Sequence, residues 1–186
     1  VRTFGSWTEA TSCWLVISAG QGLVDTGAQT AVIGMRNFQR WMICLVLGFG
    51  YKPLFRPMPR NAGANGVGGQ QKALALCEIP IGFCGINGIE YFIVIADQSE
   101  DNSCPPLLPN RLLIDLDTVI EPKQDRLTCR FAGTQASLNR LNSQHQTTSM
   151  LAFSGDGWDK PLEQMPQKYI DEGFTSNPFW YGVPNG

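Results

Sequence analysis

The sequence predicts an all-β fold with a single prominent helix, on the strength of three observations. Short apolar runs bounded by Gly, Pro or Asn recur up to Phe131, which is typical of strands joined by tight turns. Only one stretch, after Asn37, has the apolar spacing of a buried helix face. Asn87-Gly88 lies between two apolar runs, and this dipeptide strongly favours a hairpin turn.

The predicted strands follow one another with short connections. A first hairpin pairs residues 13–17 with 23–24 across a Gly-containing turn, and extended chain resumes after the Asp-Thr-Gly stretch. A turn over residues 85–88 joins two of the later strands, and a closing hairpin spans Pro122 to Asp125. The predicted strands cover residues 13–17, 23–24, 30–33, 73–79, 81–84, 91–95, 119–120 and 127–131, with a short helical turn over 112–116.

The helix is defined by its periodicity and its ends. Asn37 is placed to cap the first turn, and Gly48 and Gly50 to end the helix before Pro53 prevents a restart. Its buried face has the i, i+3, i+4, i+7 spacing and consists of Phe38, Trp41, Met42 and Leu45.

A change in composition sets the predicted domain boundary. From Gly133 onward Gln, Asn, Ser and Thr dominate, and Leu138 and Leu141 are too sparse to form a core face. We therefore expect an N-terminal arm over 1–11, a folded domain over 12–132, and a polar C-terminal tail over 133–186 that is partly ordered or a linker. Val1 in place of Met and the lack of a signal-peptide layout favour a chain cut from a longer one.

Composition argues against several classes of function. The chain has 186 residues, 43% of them apolar and 16% charged, with a formal net charge of −2. Such a charge gives no electrostatic basis for binding nucleic acid or an anionic membrane, and no apolar run approaches the length of a membrane span. We expect neither to be a partner.

The six cysteines and the single histidine, His145, argue against a metal or cofactor site. No Cys-x-x-Cys pair occurs, so the spacing typical of zinc sites is missing from the sequence. Scattered cysteines within apolar stretches favour buried free thiols over disulfides, although both alternatives remain open. We therefore expect no metal, no cofactor and an intracellular, cytoplasmic location.

The candidate functional stretch runs from Gly22 to Thr30. Asp25 ends a short apolar run and is followed at once by Thr26 and Gly27. A carboxylate in this position is costly to bury unless it is hydrogen-bonded or paired, and Gly27 permits a close backbone approach that a Cβ would block. An ordinary surface turn is the alternative interpretation of the same tripeptide.

A glycine-dense stretch over residues 61–69 lies between two extended arms. Such loops can cradle phosphates, but no Lys-Ser/Thr follows and the next residues are strand-like rather than helical. A mobile hairpin tip at the surface fits this context better than a nucleotide site.

Taken in order, these parts resemble the retropepsin superfamily, the aspartic proteases of retroviruses, LTR retrotransposons and related DNA-damage-inducible cellular proteins. The resemblance covers roughly residues 13–131, and Asp25-Thr26-Gly27-Ala28-Gln29-Thr30 is closer to the retrotransposon and cellular members than to the usual viral sequence. It is carried by that stretch, the helix, the Gly66-Val67-Gly68-Gly69 tip, the Ile93-Val94-Ile95 strand, and Leu107-Leu108 before Asn110-Arg111.

The resemblance implies a role for each matching residue. Asp25 corresponds to the catalytic aspartate, Thr26 to the residue that locks two active-site loops together, and Gly27 to a substrate-backbone contact. It also implies a substrate-binding set of Ala28, Gln29, Gly66, Val67, Gly68 and Gly69, the last three as a flap tip. Two departures concern the terminal helix, since Pro109 stands where Gly is expected and Gln29 replaces an acid that would pair with Arg111.

The resemblance further implies a small closed barrel that acts as a C2 homodimer. Hydrolysis by this chemistry needs two carboxylates around one water, and no second Asp-Thr/Ser-Gly occurs, because Gly155-Asp156-Gly157 lacks the hydroxyl residue. The expected function is an aspartic endopeptidase that processes a retrotransposon polyprotein, with peptide or polyprotein as substrate. The alternative is a catalytically silent, domesticated dimer acting as a binding or assembly module. A redox or metal domain built on the cysteines lacks the paired spacing.

Overall fold

The computed structural model describes residues 17–58, 63–66, 69–97, 99 and 102–154, and it describes no side chains within 63–66 or 69–70. The predicted N-terminal arm and all of the predicted first strand except Ile17 lie outside the described residues, as do Val67, Gly68 and 155–186.

The described chain is mostly β with one long helix. In chain order its elements are β1 Gln21–Val24, β2 Ala31–Gly34, α1 Met35–Phe49, β3 Leu54–Arg56, β4 Gly63–Gly66, β5 Gly69–Phe83, β6 Ile86–Ile95, β7 Leu107–Leu108, α2 Asn110–Asp115, β8 Thr118–Glu121, a 3₁₀ turn Pro122–Gln124, β9 Arg126–Cys129, β10 Thr134–Ser137, β11 Asn139–Arg140 and β12 Gln146–Ser149. The predicted strands 30–33, 91–95 and 119–120 fall within or beside these elements.

One large sheet positions the candidate stretch near its middle. Its strand order is β11-β12-β1-β7-β2-β6-β5-β3, with β4 paired to β5 beside this path. Strand β1 pairs antiparallel with β12 and parallel with β7, and β2 pairs parallel with β6. The strand that leads to Asp25 is therefore held on both edges by segments that are distant in the sequence.

The α1 helix confirms the predicted buried face. Phe38, Trp41, Met42 and Leu45 are each fully buried, and the Trp41 ring packs edge-on against Phe92 at 5.1 Å. Such a stripe drives the helix onto the sheet because each large side chain removes apolar surface from water, worth about 1.5–3 kcal/mol per residue.

The ends of α1 differ from the prediction. The helix starts at Met35, so Asn37 lies inside it and is not the cap. Gly48 also lies inside, and the helix ends with Gly50 in the left-handed conformation, its N–H donating to Val46 O. The prediction that Asn37 caps the helix is wrong, because its side chain donates instead to the backbone of Ser103 and Cys104.

The hairpin between β5 and β6 turns at a different dipeptide from the one predicted. Cys84 and Gly85 both have positive φ, 51° and 77°, as a two-residue hairpin turn of this hand requires. Asn87 already belongs to β6 and is buried, with its side chain donating to Ser154 O at 3.2 Å and accepting from Ser154 N at 2.7 Å. Asn87 therefore holds the chain at Ser154, a contact that the neighbouring sequence does not reveal.

The sheet continues past residue 132, where the sequence analysis placed the end of the domain. Strand β10 extends the small β8-β9 hairpin, and β12 pairs with β1 through Gln21–Ser149 and its neighbours. Leu138 is only 5% exposed and belongs to the main core, as does the fully buried Met150. The expectation that Leu138 is too isolated to reach a core is wrong, because its apolar partners come from distant strands.

The chain that follows β12 passes along the end of β5. Gly82 N donates to Met150 O at 2.8 Å, and Ala152 N donates to Gly82 O at 2.9 Å. A Cβ at Gly82 would lie within contact distance of the Ala152 and Phe153 backbone. The close approach of two backbones therefore requires glycine at this position.

The turn between β8 and β9 carries a carboxylate with several donors. Asp125 has φ 48°, and its Oδ1 accepts from Gln146 Nε2 and from Arg140 Nη2, each at 2.6 Å. These hydrogen bonds, that of Gln146 first, lower the pKa of Asp125 below its usual range. They also tie the predicted closing hairpin to the segment that leads into β12.

This arrangement predicts an acid-dependent loss of stability. Because the pKa of Asp125 is lower in the folded chain than in the unfolded chain, its contribution is present above the unfolded pKa, about 4, and is lost as the pH falls through the folded value. The melting temperature should fall between about pH 5 and pH 3, and by less in Asp125→Asn, since asparagine also tolerates positive φ. An identical pH dependence in both proteins would contradict this assignment.

Candidate functional site

Asp25 lies immediately after β1, where the backbone is fixed by the parallel neighbour β7. Leu23 N donates to Pro106 O at 2.7 Å, and Asp25 N donates to Leu108 O at 3.4 Å. Leu108 is fully buried under this position. An added Cβ at Gly22 would come within 2.9 Å of Leu108 Cγ, so a glycine is needed for the strand to approach this closely.

The residues after Asp25 form a tight loop around its carboxylate. Gly27 N donates to Asp25 Oδ1 at 2.9 Å, and Ala28 N donates to Asp25 O at 3.1 Å. Asn110 N, at the start of α2, then donates to Ala28 O at 2.9 Å. The carboxylate is thus oriented by its own loop, and the loop is anchored to the helix that follows β7.

The loop presents its functional groups outward. Asp25 and Ala28 are half-buried, whereas Thr26, Gly27 and Gln29 are exposed. The Asp25 Oδ2 atom forms no hydrogen bond with any residue that the structure describes. A carboxylate held by one oxygen and open at the other is available to a water, a substrate or a second carboxylate.

Thr26 lies at the edge of a shallow pocket beneath α2. The pocket has a volume of about 270 Å³ and is open to solvent. Ile114, the second-last residue of α2, lies on the rim of this pocket and is 67% exposed. The lining residues are Thr26, Asn110, Leu113, Ile114, Asp117, Thr118 and Ile120.

The segment before β7 is fastened to the start of α1 by residues whose role the sequence analysis missed. Asn37 Nδ2 donates to Ser103 O at 3.1 Å and to Cys104 O at 3.0 Å, and Asn37 N donates to Ser103 Oγ at 3.2 Å. Gly34 N donates to Cys104 O at 2.9 Å. The chain that supports Asp25 is therefore fixed from the side of α1 as well, by a residue that the sequence indicated only as a helix cap.

Asp97 lies at the connection between β2 and α1, beside the same segment. Its Oδ2 accepts from Arg36 N at 3.1 Å, which satisfies a donor in the first turn of α1, while its Oδ1 is buried and has no hydrogen-bond partner among the residues that the structure describes. A side chain at Gly34 would meet Asp97, Ser103 and Cys104 at once. This crowding explains why a glycine connects β2 to α1.

Cys104 is close to the candidate carboxylate but is unsuited to nucleophilic chemistry. Burial raises the pKa of its thiol to about 11, and the charges of Asp97 and Asp25 add to the effect. The group is therefore a protonated thiol near neutral pH, and the thiolate is the form that reacts. A cysteine protease centred on this residue is disfavoured.

The predicted flap residues fall in a separate hairpin. Gly66 of β4 pairs with Gly69 of β5, and these two flank the predicted tip positions Val67 and Gly68, which lie outside the described residues. No hydrogen bond between described residues joins this hairpin to the Asp25 loop. The structure thus brings together Asp25, Thr26, Gly27 and Ala28 in one loop, and the contribution of the flap residues to the substrate site stays a prediction.

The structure accommodates both departures from the family pattern at the terminal helix, Pro109 and Gln29. Arg111 forms an i, i+4 ion pair with Asp115, Nε to Oδ2 3.5 Å, on the exposed side of α2. Pro109 adopts an extended conformation directly before α2, where its missing N–H costs nothing. Gln29 is exposed and contributes no charge to this helix.

The described part of the chain shows no metal-binding group and no membrane span. No cluster of three or more His, Cys, Asp or Glu side chains suited to a metal ion occurs among these residues. Within the same residues, no helix combines the length and the apolar character needed to cross a bilayer.

Comparison with known proteins gives a likeness to solved structures and none to a family model. No protein-family model matches the sequence, and no curated protein matches it. Among solved structures, the chain is similar to the retroviral protease-like domain of Ddi1 from Leishmania major, with 22% sequence identity and a TM-score of 0.35. That match covers 57% of this chain and 75% of the other.

Proposed function

We propose that this protein is a retropepsin-like aspartic endopeptidase whose active site forms from two copies of Asp25 in a C2 homodimer. One observation carries the proposal. The Asp25 carboxylate ends a strand paired with a parallel neighbour, is oriented by Gly27 N at 2.9 Å, and is half-open to solvent beside the exposed Thr26. A surface turn would need neither the buried Leu108 beneath it nor the anchor to Asn110.

The chemistry follows from two such carboxylates on one axis. Two like charges a few ångströms apart cannot both ionise, so the pair would share a proton and titrate as a unit. The ionised member takes a proton from a water held between them, and that water attacks the peptide carbonyl. The protonated member donates to the carbonyl oxygen, and the resulting tetrahedral intermediate then expels the amine as it gains a proton.

The surface around Asp25 supports a dimer. Thr26 and Gly27 are exposed although they follow a buried strand, and Ile114 adds exposed apolar area on the same side, across the pocket. A twofold axis through this surface would place the same patch of each subunit against its copy, as an isologous interface requires. One catalytic aspartate per chain then suffices.

The proposed enzyme is a small closed barrel with a flap over its substrate. The hydrogen bonds between Gly82 and residues 150–152 link the chain after β12 to β5, and this supports a closed small barrel. The hairpin that contains Gly66 and Gly69 would act as the flap over an extended peptide, together with Val67 and Gly68. A retrotransposon polyprotein is the proposed substrate, and an intracellular, cytoplasmic location is proposed with it.

The alternative is a catalytically silent retropepsin-like dimer that serves as a binding or assembly module. The proposed pair of Asp25 carboxylates argues against it, because a module that only binds has no need of two carboxylates brought together on its axis. The two functions nevertheless predict the same fold and the same dimer, so only a chemical test separates them.

The test combines cleavage with inhibitor binding. The full chain is assayed on a casein or peptide-library substrate across pH 4 to 7, and its melting temperature is measured at acidic pH with and without a pepstatin-type inhibitor. An active dyad predicts inhibitor-sensitive cleavage and a higher melting temperature, because the inhibitor binds only the folded state. If cleavage and the thermal shift are both missing while sedimentation shows a dimer, the silent module is the correct function.

A further inference from the structure

The strand that supports the backbone of Asp25 is very short. β7 consists of Leu107 and Leu108, and it pairs with β2 at a single position, Val32. Strands in globular proteins usually have about five or six residues, so a ladder of this length fixes its strand only weakly. The hydrogen bond from Asp25 N to Leu108 O is long, 3.4 Å. The position of β7, and with it that of Asp25, therefore depends on how the chain is held at the ends of this strand.

Two prolines make the connection in front of β7 stiff. Pro105 and Pro106 follow Cys104 directly, and each proline ring holds its φ near about −65°. Pro106 O accepts a hydrogen bond from Leu23 N at 2.7 Å, so the same segment contacts β1, the strand that leads to Asp25. A change in the position of Cys104 is therefore transmitted to β1 through a connection that has little freedom to absorb it.

Cys104 is in turn held by Asn37, near the start of α1. An asparagine amide has two N–H donors, and Asn37 uses them on adjacent carbonyls, Cys104 O at 3.0 Å and Ser103 O at 3.1 Å. Asn37 N also donates to Ser103 Oγ at 3.2 Å. The buried face of α1 packs into the main core. Asn37 is therefore a fixed point from which the segment before β7 is held.

We propose that Asn37 is a positioning residue, which acts through Cys104 and β7 to hold Asp25 where the pair of carboxylates requires it. This inference rests on the proposed function. Two carboxylates can share a proton only when they are close together, and a misplacement of about 1 Å can lower the rate about a hundredfold. In a C2 dimer the same displacement occurs in both subunits, so the loss of one hydrogen-bonding side chain per chain moves both carboxylates.

Asn37→Ala is expected to narrow the pH range of activity. The active form of the pair carries one proton and exists between the two pKa values of the pair. Close approach separates these two pKa values, because sharing stabilises the single proton and like charges oppose its loss. A pair that is held less closely has more similar pKa values, so the bell-shaped profile of kcat/KM should narrow on both sides. The maximal kcat should fall about tenfold or more, with KM little changed.

The substitution leaves the charged and titratable side chains around Asp25 in place. Alanine and asparagine are both uncharged, so a change in the pH profile reports on the pair of carboxylates. The Cys104 thiol stays protonated across pH 4 to 7, because burial raises its pKa to about 11. Among the described residues, the charged or titratable groups on the neighbouring elements are Cys104, Asp97, Arg111, Asp115 and Asp117.

The matched control is Asn87→Ala. Asn87 also holds a distant backbone through two hydrogen bonds, Nδ2 to Ser154 O at 3.2 Å and Ser154 N to Oδ1 at 2.7 Å, but it lies in the β5–β6 hairpin. Both variants should have a lower melting temperature than the wild type, because each loses hydrogen bonds of a side chain that is at least partly buried. Only Asn37→Ala should change kcat and the pH profile. Sedimentation shows that each variant is a dimer at the assay concentration.

A second measurement needs no activity. Gly27 N donates to Asp25 Oδ1 at 2.9 Å and Ala28 N to Asp25 O at 3.1 Å, so hydrogen exchange at these two amides reports how firmly the loop is held. Exchange there should be about tenfold faster in Asn37→Ala than in the wild type and unchanged in Asn87→Ala. If Asn37→Ala does not fold, Ser103→Ala replaces it, since it removes only the Ser103 Oγ acceptor and should change exchange and kcat in the same direction by a smaller factor.

Three results would overturn the proposal. A wild-type kcat and pH profile in Asn37→Ala, together with a lower melting temperature, would show that Asn37 only stabilises the fold. Wild-type exchange at Gly27 and Ala28 in this variant would show that the loop does not depend on Asn37. Equal changes in Asn37→Ala and Asn87→Ala would assign them to lost stability. If the wild type cleaves no peptide, faster exchange in Asn37→Ala alone still supports the positioning of Asp25, and the proposed function fails by itself.

Discussion

Asp25→Asn is expected to lower kcat/KM for peptide hydrolysis by at least about a thousandfold, because the variant dimer has no carboxylate to take a proton from water. The fold should be unaffected. Asparagine keeps an oxygen in the place of Asp25 Oδ1, so Gly27 N retains its acceptor at 2.9 Å. The measurement is cleavage of a peptide substrate across pH 4 to 7, with melting temperature and sedimentation recorded for both proteins.

Asp117→Asn is the control for this experiment. Asp117 lines the pocket next to Thr26 and has φ 45°, a conformation that asparagine accepts as readily as aspartate. The same chemical change should alter kcat/KM by less than about threefold there, since a surface substitution changes stability by only about 0.5 kcal/mol. Full activity in Asp25→Asn would remove Asp25 from the mechanism.

Gly82→Ala should cause a large loss of stability, about 3 kcal/mol, and lower the melting temperature by roughly 6–12 °C. The added Cβ would overlap the backbone of Ala152 and Phe153, and no side-chain rotation can relieve a contact with backbone. The strain would also break the hydrogen bonds from Gly82 N to Met150 O and from Ala152 N to Gly82 O. Urea unfolding monitored by circular dichroism measures the change.

Gly88→Ala is the matched substitution on the neighbouring strand. Gly88 pairs with Ile81, and a Cβ there would meet no atom within 4 Å. Alanine should be neutral at this position or stabilise the protein by up to about 1 kcal/mol, because it reduces the freedom of the unfolded chain. Equal losses of stability at Gly82 and Gly88 would show that residues 150–153 do not pack where the structure places them.

The parts of the fold that local sequence determines were predictable. The apolar stripe of α1 follows from a period of 3.6 residues, and all four predicted core residues are fully buried. The hairpin across Pro122–Asp125 also follows from nearby residues, with Asp125 in the left-handed conformation that ends it. In both cases the signal and the structure that it predicts lie within one element.

Features that depend on distant residues were not predictable in this way. Asn87 has the local signature of a turn, but its amide is used by Ser154, so the turn moves to Cys84-Gly85. Leu138 looks isolated in a polar stretch and yet reaches the core, because its apolar neighbours belong to other strands. Tertiary contacts outweigh local preference at both positions.

The same distinction between local and distant residues applies to the candidate site. The position of Asp25 at a strand end, with a glycine two residues later that permits a turn, could be predicted from the residues between Leu23 and Gly27, whereas the hydrogen bond from Gly27 N to Asp25 Oδ1 could not. The support from Asn37 and Ser103 could not, since these residues are far apart in sequence and meet only when β7 enters the sheet between β1 and β2. Asn37 was predicted as the cap of α1, and its hydrogen bonds to Ser103 and Cys104 could not be predicted from the sequence.

The pairing of β1 has a consequence for how the protein is made. Its two neighbours are residues 107–108 and 147–149, so the strand that leads to Asp25 leaves the ribosome well before either partner has been synthesised. Contacts of such long sequence separation slow folding, and unpaired strand edges are prone to aggregate in the meantime. A nascent chain that stops before Gln146 would carry the aspartate on a strand with an open edge. Synthesis itself would then delay any proteolytic activity until this part of the protein is nearly complete.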